Sequence, residues 1–227
     1  MKGKLTNCIA VCDVSGSMEG IPMEVSVALG LLVSELSEEP WKGKVITFSE
    51  DPAMHLIKGD TLLEKTEFVR MMEWGGNTDF QKVFDRILEV AVANNLSEDQ
   101  LIKRVFVFSD MEFDDASGSC CESNWEMRLD RAATKDKCRA RWETDYQVIQ
   151  RKFGDKGYNK VPEIVFWNLR NSSSTPVVAK QSGVAMVSGF SKNLLTLFLE
   201  EGGIVNSEDV MGLAIAGEEY KKLVVYD

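Results

Sequence analysis

Residues 9–20 read IAVCDVSGSMEG, and the chain around them runs from LTNCIAVC at 5–12 to IPMEVSVALGLLVSELS at 21–37. A short, nearly continuous apolar stretch from Leu5 to Cys12 is what a central strand covered on both faces requires. It ends on an acid, two serines and a glycine, after which Pro22 opens an amphipathic helix carrying Val25, Leu29, Leu32, Val33 and Leu36 at helical spacing. Strand, polar turn and helix in this order are the first half of a βαβ unit. The turn itself admits four chemistries: a phosphate cradle, a phosphoryl-transfer aspartate, a nucleophilic serine, or hard oxygen ligands for a metal.

Outward from this unit, apolar runs and amphipathic segments keep alternating. Lys44 to Ser49 is a second strand, and Pro52 to Ile57 is an antiparallel edge strand, because the short turn between them leaves no room for a crossover helix. Helices are expected over Thr61–Met72, over Phe80–Ala93 with Val83, Ile87, Val90 and Ala91 on one face, over Asp145–Phe153 and over Ser191–Glu200, which stops at Gly202 and Gly203. Ile102–Ser109, Pro162–Leu169 and Val184–Val187 supply further strands. The expected fold is therefore a doubly wound, Rossmann-like α/β domain, its sheet mainly parallel with one antiparallel edge strand and helices on both faces. We read residues 1–227 as a single such domain, with an insertion at about 111–144 and a C-terminal appendage at about 204–227.

Composition narrows the partners. Twenty-six basic against 36 acidic residues give a net charge of -10, which opposes nucleic acid and anionic membrane as bulk partners. Five cysteines are an odd number, and Cys8 and Cys12 fall inside a buried strand, a pattern of reducing compartments rather than disulfide frameworks. No apolar run reaches the roughly 18 residues that span a bilayer, and MKGKLTN lacks a signal-peptide core. The expected setting is intracellular, with no membrane partner.

The four chemistries can now be separated. A nucleotide-phosphate cradle needs GxxxxGK[ST] or GxGxxG at this turn, and DVSGSMEG has neither. An aspartyl phosphoryl carrier wants a second acid two residues on, where Ser15 stands. A nucleophilic serine needs a base; the single histidine, His55, belongs to the edge strand, and nothing places it near residue 15. The metal reading asks for oxygen groups at other strand ends, because ligands in open parallel sheets bind outside the carboxyl ends of the strands. Thr78 and Asp79 in GGNTD and Asp110 after VFVFS meet that demand. Asp13, Ser15, Ser17, Thr78 and Asp110 form a hard, hydroxyl-rich set suited to Mg²⁺, with Mn²⁺ next and Ca²⁺ after it.

In these residues the chain resembles the von Willebrand factor A (vWA) domain. That family's metal-ion-dependent adhesion site (MIDAS) has a DxSxS loop, a threonine on a second loop and an aspartate on a third. The match is Asp13, Ser15 and Ser17 in DVSGS, Thr78 in GGNTD and Asp110 in FSD, within roughly residues 4–203. The resemblance implies direct coordination by Ser15, Ser17 and often Thr78, with Asp13 and Asp110 acting mainly through water. The short DVSGSM form is similar to the intracellular branch of the family. GNTDFQKVFDRIL, SDMEFDDA and the following insertion look like the C-terminal A domain of a plant, fungal and giant-virus family related to the A domain of the Ro ribonucleoprotein. Where many A domains have glycine after the third-loop aspartate, this chain has Met111 and Glu112; Glu112 could reach the ion or hold a ligand water, though a solvated loop acid is the plainer reading.

The insertion leaves from the ligand-bearing end of the sheet. Its Trp125 and Trp142 could anchor a partner or pin the excursion to its own domain, and Cys120, Cys121 and Cys138 lack the spacing of a structural zinc site. The basic run from Arg128 to Arg141 reads as a solvated helical face before it reads as an RNA contact. With no nucleophile and base in view, the chain is read as a non-enzyme: a divalent-metal-binding protein-interaction module whose ion is completed by an Asp or Glu carboxylate of a protein partner. A ribonucleoprotein component binding RNA is the alternative, and a hydrolase using a metal-bound water a third reading.

Overall fold

The architecture follows from one strand. Cys8–Cys12 (β1) is buried at every position, so it must be flanked by strands on both edges and covered on both faces. In the computed structural model, which describes residues 5, 7–49, 51–73, 80–110, 146–170, 183–190, 211, 212 and 215, β1 pairs in parallel with Lys44–Thr47 (β2) on one side and Arg104–Ser109 (β4) on the other. Met54–Leu56 (β3) runs antiparallel beside β2, as the short turn demanded. Glu163–Asn168 (β5) and Val184–Ser188 (β6) extend the sheet in parallel beyond β4. The order is β3-β2-β1-β4-β5-β6, which reverses direction between β1 and β4. That is the switch point where doubly wound sheets open a crevice.

Helices cover both faces. Ile21–Leu36 (α1) and Leu62–Arg70 (α2) lie on one side, where Ala10, Cys12, Phe106, Phe108 and Trp167 meet Val27, Leu31, Val33 and Val69. Phe80–Ala93 (α3) and the helical residues 146–155 (α4) lie on the other, where Ile9, Val11, Val105, Val107 and Phe166 meet Val83, Ile87, Ile149 and Phe153. The odd and even residues of β1 thus enter different layers, as the period of a strand requires. Thr61 caps α2 in a reciprocal box with Glu64, satisfying two backbone donors at its start. The pairs Lys65–Glu35 and Arg70–Glu24 bridge α1 and α2 near both ends.

The predicted apolar stripe on α1 is met in part: Val33 is fully buried, Val25, Leu29 and Leu36 are half-buried against the core, and Leu32 is 39% exposed. The most deeply buried residues of the helix are Ser26, Val27, Gly30, Leu31, Val33 and Ser34. Small residues win here because α1 lies so close to β1 that a Cβ on Gly30 would sit 2.2 Å from the Cys12 sulfur. The buried hydroxyls of Ser26 and Ser34 find the carbonyls of Phe108 and Leu31, so their burial leaves no unmet hydrogen bond.

The loop carrying Thr78 and Asp79, the insertion with Met111 and Glu112, its cysteines, tryptophans and basic run, and the helix expected over Ser191–Glu200 lie outside the described residues. So does nearly all of the C-terminal appendage. Among the described residues no helix is long and apolar enough to cross a membrane.

Candidate metal centre

Asp13 is the first residue past β1, and its N–H still donates to the Phe108 carbonyl at 3.0 Å. The ladder therefore carries Asp13 one step beyond the strand, beside Ser109, the last residue of β4. Both carboxylate oxygens are engaged. Oδ1 accepts from the Ser15 N–H at 2.9 Å, and Oδ2 accepts from the Ser109 hydroxyl at 2.9 Å. The first bond folds the DVS segment back on itself as aspartates do in tight turns; the second ties the loop to the neighbouring strand.

Beyond Ser15 the chain makes a single tight turn over Gly16–Met18. Met18, fully buried, plugs this turn into the core, while Ser17 is left at the surface. Gly20, at φ 93°, then turns the backbone through a region closed to other residues so that α1 can start. Anchored at Asp13 and Met18, the loop holds Ser15 Oγ and Ser17 Oγ 2.9 Å apart.

Asp13 and Asp110, each 2% exposed, follow adjacent strands. Burial raises the Asp13 carboxyl above its ordinary range against the pull of its bonds from Ser15 and Ser109, and the charge of Asp110 raises it further. A cation beside the two acids would reverse that last effect.

The donor set suits a divalent ion by its chemistry, since hydroxyls and carboxylates are hard oxygen donors. The two serine hydroxyls, 2.9 Å apart, are hydrogen-bonded to each other, and each keeps a lone pair for a shared ion. Each Asp13 oxygen has a second lone pair for a metal-bound water, consistent with an acid that acts through water. Among the described residues no three His, Cys, Asp or Glu converge, so the oxygen-rich loop is the candidate there.

Of the five residues singled out in the sequence, Asp13, Ser15 and Ser17 share one loop and Asp110 stands at the adjacent strand end; Thr78 is outside the described residues. His55 lies on β3 in register with Val45, its ring against Phe68, two strands from Asp13 and away from both serines. Sequence reasoning missed two contributors. Ser109 fixes the second oxygen of Asp13, and its only signal was its place before Asp110. Arg170, two residues past β5, donates from Nη1 to the Ser17 carbonyl, its own N–H held by Asn168 Oδ1 at 2.9 Å; no local pattern marks it.

Comparison with known proteins agrees with this frame. The chain is 40% identical over 195 residues to uncharacterized protein L728 of Acanthamoeba polyphaga mimivirus, a match covering 85% of this chain and 30% of that relative. The chain thus spans under a third of the relative's length. The structure of the Deinococcus radiodurans RO (RSR) protein superposes with a TM-score of 0.52 at 16% identity, over 88% of this chain and 34% of that one. Proximal thread matrix protein 1 from the mussel byssus, solved with a zinc-occupied MIDAS motif, superposes with a TM-score of 0.45 at 14% identity, over 86% of this chain and 47% of that one. At 16% identity the first of these structures speaks for the fold alone, which is vWA-like. Residues 7–223 match the family described as "Domain of unknown function (DUF7788)", and the chain belongs to that family.

Proposed function

We propose that this domain binds Mg²⁺ through Ser15 and Ser17, with Thr78 as a further ligand and Asp13 and Asp110 holding ligand waters, and that a protein partner completes the ion with an Asp or Glu carboxylate. The observation that carries the reading is the Ser15–Ser17 hydroxyl pair, 2.9 Å apart, held by a buried Asp13 whose oxygens both accept from the chain. A bound Mg²⁺ supplies an electrophilic centre for an oxygen anion. The chain's own residues supply the rest: the Asp13 turn orients Ser15, Met18 anchors the exposed end of the loop, and Ser109 locks the acid to β4. Because the acids number two, they balance the ion without closing it to a third carboxylate.

The interaction is proposed to be a binding event without turnover, in an intracellular setting; Cys8 and Cys12, both buried thiols outside any disulfide, support a reducing compartment. The RNA reading, suggested by the likeness to the Ro A domain and placed on the insertion, outside the described residues, is carried no further. Calorimetric titration with Mg²⁺ and Mn²⁺ tests the metal: one site is expected in the wild type and none in Asp13→Ala. Partner capture with both proteins, in Mg²⁺ and in EDTA, tests recognition. Identical capture in all four arms would reject metal-mediated binding.

A further inference from the structure

Arg170 reaches the metal loop from a distant strand. Residue 168 ends β5, which is separated from β1 by β4, so the two strands stand roughly 9–10 Å apart. Asn168 Oδ1 accepts the Arg170 N–H at 2.9 Å and turns the backbone outward, and Leu169, 1% exposed, pins the turn into the core. From there the side chain crosses above the end of β4 and donates from Nη1 to the carbonyl of Ser17, 153 residues away in sequence. The guanidinium is thus exposed at the face where Asp13 and Asp110 emerge, tied to the residue whose hydroxyl pairs with Ser15.

A cation at this place is unexpected if the site does no more than hold a metal, since like charge disfavours the ion. It has a purpose if the site receives an anion. A divalent ion beside Asp13 and Asp110 offsets the charge of those two acids. Arg170 adds a positive charge beside the DVSGS loop, in a chain whose net charge is -10, and salt screens its effect beyond about 8–10 Å. The guanidinium has five N–H donors in a planar fork matched to a carboxylate, and the bond to Ser17 involves one nitrogen.

We infer that Arg170 is a specificity-determining residue, which grips the partner's carboxylate together with the metal. This rests on the proposed metal-mediated reading and adds the second half of the anion site. The partner segment is accordingly acidic, and its carboxylate is read by an ion and a guanidinium at once.

The test uses Mn²⁺ as the ion and glutarate as the carboxylate probe, on the full chain, with water-proton relaxation as the readout. Glutarate should displace water from the Mn²⁺-loaded wild type. In Arg170→Ala its midpoint should rise about tenfold, the change expected for loss of one charge-assisted hydrogen bond, while the Mn²⁺ midpoint stays unchanged or tightens. Arg170→Lys, which keeps the charge and loses the fork, should fall between the two and serves if the alanine variant does not fold. An unchanged glutarate midpoint in Arg170→Ala, with Mn²⁺ still bound, overturns the inference alone. Equal weakening of Mn²⁺ and glutarate also overturns it, making Arg170 a loop tether. No Mn²⁺ binding by the wild type overturns the metal reading, and this inference with it.

Discussion

Replacing Asp13 with asparagine separates a metal site from a loop staple, because the two readings predict opposite results. Asparagine keeps an oxygen to accept the Ser15 N–H, now 2.9 Å from Oδ1. Its amide nitrogen takes the place of Oδ2, and the Ser109 hydroxyl, 2.9 Å away, can turn from donor to acceptor. Both bonds survive, each contributing about 0.5–1.5 kcal/mol. What disappears is a buried charge raised by burial and by Asp110. In EDTA, Asp13→Asn should therefore be as stable as the wild type to within about 1 kcal/mol, or more stable. With free Mg²⁺ at 100 times the dissociation constant the wild type gains about 2.7 kcal/mol, or about 5–10 °C in melting temperature for a domain of this size; the variant gains little. The sign with pH agrees. An acid raised in the folded state holds its proton more tightly there, so apo stability declines as pH rises from the ordinary carboxylate value of about 3.9 through the folded one, and asparagine removes that decline. Thermal and urea unfolding with and without Mg²⁺ measure all four states. A variant destabilised by several kcal/mol equally in EDTA and in Mg²⁺ would refute the argument and make Asp13 an architectural residue; equal Mg²⁺ gains in both proteins would refute its role in the site.

Two further outcomes test the frame that holds the loop. Gly30→Ala places a Cβ 2.2 Å from Cys12 Sγ, well inside the roughly 3.5–4.0 Å of an ordinary contact, and should destabilise the domain by about 1–3 kcal/mol or more in urea unfolding. Adding Cys12→Ala removes the obstructing sulfur and should recover most of that loss, whereas simple addition of the two single effects would show that α1 can shift instead. Burial pushes the Cys8 and Cys12 thiols up to about 12, so both should resist alkylation at pH 8 until the domain unfolds, as peptide mass mapping would reveal. Thiols that ionise near 8.5 when unfolded but stay protonated in the fold also make stability fall as pH climbs through that interval; rapid native-state labelling of either cysteine would contradict their burial.

Much of the domain was legible from residue patterns alone. The apolar runs around Cys8–Cys12, Arg104–Ser109 and Glu163–Asn168 are buried throughout or nearly so, and burial on both faces leaves no alternation to obscure the reading. The brevity of the link after Ser49 dictated the antiparallel β3, since a parallel return needs a crossover. On α1 the periodicity found Val25, Leu29, Val33 and Leu36 but passed over the small residues beside them, because hydrophobic periodicity weighs side-chain polarity. At Ser26, Gly30 and Ser34 the deciding quantity is size, set by the proximity of β1. That distance belongs to the assembled layers and to no single helix.

The sequence by itself determined which residues end strands and what oxygen chemistry they bear: Asp13, Ser15 and Ser17 after one apolar run, Asp110 after another. Local side-chain preferences are enough for that, because strand ends are marked by the residues that end them. Only the tertiary structure decided that β1 and β4 are neighbours, so that Ser109 reaches Asp13 across 96 residues and Arg170 reaches Ser17 across 153. Pairing order in a parallel sheet is set by how crossover helices pack on its two faces. The contacts that complete the candidate site are therefore properties of that packing, and they leave no local trace in the chain.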